Sequence, residues 1–133
     1  MLKICGEGVL ACNQVLYHLL ERGIEHAVIP WCERHEVGVV AYSPFGHARF
    51  PAGHTAGGRL LAEIAAVHGA TPRQVALAFL VRRRSVFAIP KASTGPHVAE
   101  NAAAGDLRLA AGEIARIVAA FPLGGRQRGL PML

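Results

Sequence analysis

Three short apolar runs along the chain predict buried β-strands. They cover residues 9–15, 37–42 and 86–89, and Pro90, which cannot continue a strand ladder, ends the third run. Apolar residues at helical spacing follow each run, so strands alternate with helices. Because the connections are too long for hairpins, the pattern predicts parallel βαβ units with right-handed crossovers. The predicted fold class is α/β.

The best-defined helix start is Thr71-Pro72-Arg73-Gln74, with threonine as N-cap, proline at the first helical position and glutamine completing a capping box. This helix is predicted over 72–83. Other helices are predicted to open at Pro30 and to cover 59–68, 96–104 and 111–121. Of these helices, 72–83 is predicted to bury Val75, Ala76, Phe79 and Leu80, and Trp31 and Cys32 are predicted to share a helix face with His35. The positions predicted to form the apolar faces of the helices over 59–68 and 111–121 are Leu60, Leu61, Ile64, Ala65, Val67, Leu109, Ile114, Ile117, Val118 and Phe121.

Composition narrows the class of protein. The chain has 133 residues, of which 52% are hydrophobic and 17% are charged, as expected for one compact domain. No apolar run approaches the ~18 residues of a membrane span, and the first residues lack the apolar core of a secretory signal. Three cysteines, Cys5, Cys12 and Cys32, are too few and too scattered for a disulfide framework. These features predict a cytoplasmic protein without a membrane partner.

The net charge of +5 permits a nucleic-acid or phosphate partner. The only basic run, Arg82-Arg83-Arg84, closes a predicted helix, where cations suit the negative end of the helix dipole. We therefore interpret it as a solvated helix end and predict no nucleic-acid partner.

Familiar cofactor and nucleophile motifs are missing. The sequence has no G-x-G-x-x-G after a strand, no P-loop and no G-x-S-x-G. His47 and His54 lack the spacing of zinc ligands and are interpreted as polar loop residues. No metal site is predicted.

Polar groups are predicted at the C-terminal ends of all three strands: Asn13-Gln14, Tyr42-Ser43-Pro44 and Lys91-Ala92-Ser93. Ligands of parallel α/β proteins bind at that edge. Lys91, followed by Ser93-Thr94-Gly95-Pro96 at a helix start, offers an anion a point charge and free backbone N–H groups. The pattern favours a phosphate-bearing ligand, although strand caps and turns would use the same residue types.

The same segments resemble a known family. Residues 11–18 (ACNQVLYH), 41–46 (AYSPFG) and 89–91 (IPK), with Glu100-Asn101 downstream, are similar to the C-terminal half of an aldo-keto reductase. Residues 22–25 and 30–32 further resemble a bacterial subgroup similar to methylglyoxal reductases. The family is a (β/α)₈ TIM barrel that reduces carbonyls with NADPH. The resemblance implies that residues 1–133 are the C-terminal portion of such an oxidoreductase domain, roughly barrel strands 6–8 with their helices.

The resemblance implies a role for each matching residue. Gln14 would hold the nicotinamide carboxamide and Tyr42 would stack beneath the ring. Ser43 and Phe45 would follow the pyrophosphate, and Lys91, with Ser93 and Thr94 in its loop, would bind the adenosine 2′-phosphate. Glu100 and Asn101 would contact adenine. Ala92 and His97 stand where the family often has serine and arginine, which leaves the choice between NADPH and NADH open.

The family's catalytic tyrosine, lysine, aspartate and histidine come from strands before this sequence begins, so no catalytic residue is predicted here. Tyr17-His18 is assigned to packing. The chain alone is expected to be inactive, and to reduce small aldehydes or ketones only when an N-terminal half completes it. A short tail after Pro122 implies an open substrate site. The alternative is a non-catalytic nucleotide-binding or assembly module, or a truncated product; unpaired sheet edges would favour self-association.

Overall fold

One three-stranded parallel sheet organises the chain. The computed structural model describes Gly6, residues 8–126 and Gly129, so Cys5 and most of the tail after Pro122 lie outside the described residues. Strands β1 (Cys12–Leu16), β2 (Gly38–Tyr42) and β3 (Val86–Ile89) lie in that order, with β2 central. Gln14 pairs with Val40, which pairs with Phe87. The predicted parallel α/β arrangement is confirmed.

Helices connect and follow the strands. A 3₁₀ turn (Gly23–His26) and α1 (Val28–Arg34) lie between β1 and β2. Two helices, α2 (Ala56–Val67) and α3 (Pro72–Leu80), lie between β2 and β3, and α4 (Gly95–Ala103) and α5 (Ala111–Ala120) follow β3. The α2 helix packs against both α3 and α5.

Threonine side chains begin three of these helices. The hydroxyl oxygens of Thr55, Thr71 and Thr94 accept backbone N–H bonds at the starts of α2, α3 and α4. At α3 the Gln74 carboxamide oxygen also accepts from the Thr71 backbone N–H at 2.9 Å. The predicted capping box is confirmed, and it fixes the first turn of α3 beside the strand ends.

The helices cover one face of the sheet and leave the other open. Val39 and Ala41 on the covered face are fully buried, together with Leu61, Ile64 and Phe79 from the helices. Side chains alternate between faces along a strand. Gln14 and Phe87 therefore lie on the opposite face, where Phe87 is 59% exposed and Ile89 48% exposed. This uncovered apolar face is what a strand segment of a larger parallel barrel presents to the interior of that barrel.

Several predicted boundaries and core positions are wrong. Because the ladder begins with the pair Cys12 and Gly38, Asn13-Gln14 lie inside β1 rather than at its C-terminal end. The helix predicted to open at Pro30 begins at Val28, α2 begins at Ala56, and α3 ends at Leu80. Two residues of the predicted apolar helix faces, Val67 and Val118, are 77% and 38% exposed, because each helix buries a narrower face than its sequence pattern indicates.

The prediction that Arg82-Arg83-Arg84 is a solvated helix end is wrong for Arg82, which forms hydrogen bonds inside the fold. Its Nη2 donates to Glu25 Oε2 at 3.0 Å, and its Nη1 donates to the Tyr17 hydroxyl at 3.0 Å. Arg22 binds the same carboxylate with two hydrogen bonds, of 2.7 and 2.8 Å. We call Tyr17, Arg22, Glu25 and Arg82 the Glu25 cluster. The guanidinium carbons of Arg82 and Arg22 lie 3.9 and 5.1 Å from the centre of the Phe79 ring.

Burial alone would raise the pKa of Glu25. The hydrogen bonds from Arg22 and Tyr17, with the charges of the two arginines, outweigh burial and lower that pKa from 4.5 to about 2. The cluster therefore holds a carboxylate that is only 7% exposed in its ionised form.

Gly58 is required where α2 meets the preceding loop. A Cβ at this position would lie 2.0 Å from the carbonyl oxygen of Ala52, whereas a Cβ at Gly112 of α5 would meet nothing within 4 Å. We expect Gly58→Ala to destabilise the fold by roughly 1–3 kcal/mol, because backbone must move. Gly112→Ala is the matched control and should stabilise by about 0.5 kcal/mol through helix propensity. Urea unfolding measures both, and similar effects for the two variants would disprove the steric argument.

Candidate functional site

A cavity of about 540 Å³ opens at the C-terminal edge of the sheet. It lies between the loop after β2, the start of α3 and the segment from β3 to α4. Its lining residues are Phe45, Phe50, Thr71, Pro72, Arg73, Lys91, His97, Glu100 and Asn101. Five of the residues predicted to bind a cofactor, Phe45, Lys91, His97, Glu100 and Asn101, are therefore brought together.

The loop after β2 supplies the aromatic wall. Ser43 begins this loop with a φ of 50°, and Gly46 continues it with a φ of 75°, both in the left-handed region. The Gly46 N–H donates to the Ser43 carbonyl at 2.8 Å, which closes a tight turn. Phe45 and Phe50 meet edge to face with ring centres 5.8 Å apart. The loop thus presents an edge-to-face aromatic pair to the cavity.

Hydrogen bonds fix Glu100 in the opposite wall. The Thr71 hydroxyl donates to Glu100 Oε1 at 2.5 Å, and the Gln74 amide donates to the Glu100 carbonyl at 3.0 Å. The capping box of α3 is thereby joined to α4. This leaves the other carboxylate oxygen of Glu100 and the Asn101 side chain for a ligand.

Lys91 enters the cavity two residues after β3. Its side chain makes no ion pair within the described part of the chain. Thr94 caps α4 by accepting the His97 N–H at 3.4 Å. Ser93 and Thr94 are exposed near the cavity without lining it. The arrangement puts an unpaired cation of the described part of the chain beside an exposed helix start, which suits an anionic group.

Gln14 and Tyr42 lie outside the cavity, on the open face of the sheet. Gln14 of β1 pairs with Val40 of β2, and Tyr42 lies two residues after Val40. Because side chains alternate between faces along a strand, Gln14 and Tyr42 lie on the same face. Tyr42 is the last residue of β2, so the loop that begins at Ser43 leads from it to the cavity. A ligand with two separated parts could contact both the open sheet face at Gln14 and Tyr42 and the cavity.

Sequence reasoning missed Arg73, Phe50 and Thr71. The segment Thr71-Pro72-Arg73-Gln74 was interpreted only as a helix start. That helix start follows α2 rather than a strand, so its order along the chain carried no signal that it lies at the ligand-binding edge.

Tyr17 and His18 are confirmed as packing residues. The Tyr17 hydroxyl donates to Glu25 at 2.6 Å and the side chain is fully buried. Its pKa is raised, chiefly by burial, so the phenol stays protonated. His18 is 3% exposed and lies against Gly46, where a Cβ would come within 3.3 Å of the imidazole.

The cavity fits one end of a dinucleotide. Lys91 provides a cation for phosphate, Glu100 and Asn101 can hydrogen-bond to a purine, and Phe45 offers an apolar surface. Among the described residues no three His, Cys, Asp or Glu side chains lie close enough to hold a metal ion. No helix in the described part of the chain is long and apolar enough to cross a membrane.

Comparison with known proteins agrees with this geometry. The profile described as Aldo/keto reductase family matches residues 6–121. Methylglyoxal reductase YeaE of Escherichia coli (strain K12) is 38% identical over 131 residues, which are 98% of this chain and 46% of that protein.

Two solved structures extend the comparison. An aldo-keto reductase from Klebsiella pneumoniae, in complex with NADPH, is 40% identical, with a TM-score of 0.82 over 92% of this chain and 43% of that one. An aldo-keto reductase of the silkworm, Bombyx mori, is 29% identical, with a TM-score of 0.71 over 89% and 36% of the two chains.

The chain therefore spans less than half the length of these relatives. The family profile covers most of the chain, and the structure of the chain is similar to that of a solved aldo-keto reductase over 92% of its length. The chain belongs to the aldo/keto reductase family of oxidoreductases.

Proposed function

We propose that these 133 residues form the C-terminal, cofactor-binding portion of an oxidoreductase that reduces small aldehydes or ketones with NADPH. The observation that carries the proposal is the cavity shared by Lys91, Glu100, Asn101 and Phe45 at the C-terminal edge of the sheet. The NADPH-bound Klebsiella pneumoniae relative and the reductase from Escherichia coli support the cofactor and the reaction class.

In this proposal the two parts of the site bind the two ends of the cofactor. Tyr42 stacks on the nicotinamide, and Gln14 binds its carboxamide on the open face of the sheet. Ser43 and Phe45 follow the pyrophosphate. At the adenosine end, Lys91 binds the 2′-phosphate, and Ser93 and Thr94 belong to the loop that binds this phosphate. His97 stands where the family often has a phosphate-binding arginine, and Glu100 and Asn101 contact adenine.

The three strands are proposed to be the sixth to eighth strands of a (β/α)₈ barrel. Two observations support this placement: all the strand pairs are parallel, and one sheet face carries exposed Phe87 and Ile89. Completion by an N-terminal half would cover that face. A location in the cytoplasm and self-association of the isolated chain remain predictions.

Catalysis in this proposal needs groups from outside the described site. Bound NADPH would supply the hydride, while the carbonyl oxygen needs a proton donor. Tyr17 is buried within the Glu25 cluster, and Lys91 is assigned to phosphate. The residues of this portion thus bind and orient the cofactor, which by itself does not lower the chemical barrier. The proposal favours an enzyme portion over a separate nucleotide-binding module because the matched relatives are reductases.

Lys91→Met tests the cofactor assignment. Loss of a charge-assisted phosphate contact costs about 1.5–3 kcal/mol, so NADPH affinity should fall roughly 10- to 150-fold. NADH lacks the 2′-phosphate, and its affinity should change little. Dissociation constants are measured by the fluorescence of the bound reduced cofactor.

Arg84→Met is the matched control, because Arg84 is an exposed cation near the opposite end of β3. It should leave both affinities unchanged. Equal weakening of NADPH and NADH by Lys91→Met would contradict the assignment of Lys91 to the 2′-phosphate.

A further inference from the structure

Arg73 is a cation in the cavity to which the cofactor assignment so far gives no role. Its guanidinium carbon lies 4.8 Å from the centre of the Phe45 ring and 5.0 Å from that of Phe50. Within the described part of the chain, Arg73 has no carboxylate at salt-bridge distance and its side chain makes no hydrogen bond. The contacts that hold this side chain are therefore aromatic.

Stacking on aromatic rings leaves the chemistry of a guanidinium available. Cation–π contact engages its face, while the N–H groups point outward along its edge. Those N–H groups form a fork that matches two oxygens of a phosphate. The phenyl pair thus orients Arg73 for an anion without using its hydrogen-bond donors.

The charges around the cavity favour an anion. Arg73 and Lys91 both line it, from the start of α3 and from the end of β3. Glu100 is the single acidic residue among the lining residues described, and one of its oxygens is occupied by Thr71. Two cations and one carboxylate leave an excess of one positive charge among these residues, which attracts an anionic group such as a phosphate monoester.

We infer that Arg73 binds the 2′-phosphate of the cofactor's adenosine together with Lys91, and that it is a determinant of preference for NADPH over NADH. The inference rests on the proposed function. It adds a specificity residue from α3, an element to which the sequence assigned only a capping role.

The test uses two probes that bind only the adenosine end of the site. Adenosine 2′,5′-bisphosphate carries the 2′-phosphate and AMP does not, so they differ in one group. Isothermal titration calorimetry measures the affinities of both nucleotides for the wild type, Arg73→Gln, Arg73→Lys and Arg116→Gln. Arg116 is half-exposed and pairs with Glu63 away from the cavity, so its replacement is the matched control.

We expect Arg73→Gln to weaken the bisphosphate by at least about tenfold and AMP by less than about twofold. Arg73→Lys should give an intermediate loss, because it keeps the charge and loses the two-pronged geometry. Arg116→Gln should change neither affinity. The ratio of the two affinities does not depend on the folded fraction, so any destabilisation by the variant leaves this readout intact.

Equal weakening of both nucleotides would overturn the inference, since it would mean that Arg73 contacts the adenine or supports the wall. An unchanged bisphosphate affinity in Arg73→Gln would overturn it as well. A wild-type protein that binds neither nucleotide would overturn the cofactor assignment itself. The first two results would leave the cofactor assignment intact. A failure of the inference about Arg73 can therefore be distinguished from a failure of the proposed function.

Discussion

Glu25→Ala is expected to destabilise the fold by about 3–5 kcal/mol, the cost of removing one partner from a buried ion pair. Glu25 accepts hydrogen bonds from Arg22, Arg82 and Tyr17, and its side chain is only 7% exposed. Without it, two arginines lose their counter-charge in an environment that water hardly reaches. A loss of this size is a large fraction of the 5–15 kcal/mol that typically separates folded from unfolded protein.

Urea unfolding at pH 7 measures this loss, with Glu33→Ala as the control. Glu33 binds Arg83 at 2.9 Å, but the two side chains are 38% and 37% exposed. Exposed pairs contribute about 0–1 kcal/mol, so Glu33→Ala should have a small effect. Comparable losses in the two variants would show that burial does not set the strength of the Glu25 cluster. If Glu25→Ala does not fold, Glu25→Gln preserves the shape and permits the same comparison.

The sequence predicted elements wherever the determinants are local. The capping box at Thr71 and Gln74 needs only neighbours in the chain, and it forms as expected. The third apolar run, ended by Pro90, matches β3 residue for residue. The start of β1 could not be predicted equally well, because the ladder begins only where β2 provides a partner, at Gly38.

Long-range partners explain the misassigned arginines. Arg82 reaches Glu25, 57 residues earlier in the chain, and nothing near Arg82 in sequence indicates that contact. Arg73 reaches the cavity because the loop after β2 folds over α3 and places Phe45 and Phe50 beside it. Both arginines stand at polar positions of the helix predicted over 72–83, so the spacing of apolar residues alone indicates that they face solvent. Their roles depend on the packing of separate elements.

Five of the residues predicted to bind a cofactor lie close together in the fold for a related reason. Phe45, Lys91, His97, Glu100 and Asn101 come from three separate segments, yet all line one cavity. They were identified by motif resemblance, which carries information on packing that periodicity lacks. Gln14 and Tyr42 lie outside that cavity on the open sheet face, where the proposal puts the nicotinamide end of the cofactor.

Acid should remove the stabilisation supplied by Glu25 over a defined pH range. The pKa of this carboxyl is about 2 in the folded chain against 4.5 in its ordinary state. Above pH 4.5 both states carry the charge and the stabilisation is complete. As the pH falls from there toward about 2, the unfolded chain binds a proton that the folded chain does not, so stability declines.

The pKa difference corresponds to about 3 kcal/mol, at 1.36 kcal/mol per pKa unit. Glu113, whose pKa is lowered mainly by its hydrogen bond with His68, adds to the acid sensitivity of the wild type, so the Glu25 contribution needs a difference measurement. Urea unfolding of the wild type and of Glu25→Gln from pH 7 to pH 2 isolates it, because both proteins keep Glu113. The gap between the two stabilities should be widest above pH 4.5 and should close toward pH 2, where protonated glutamate resembles glutamine. A gap that stays constant across this range would show that the charge of Glu25 is not what stabilises the cluster.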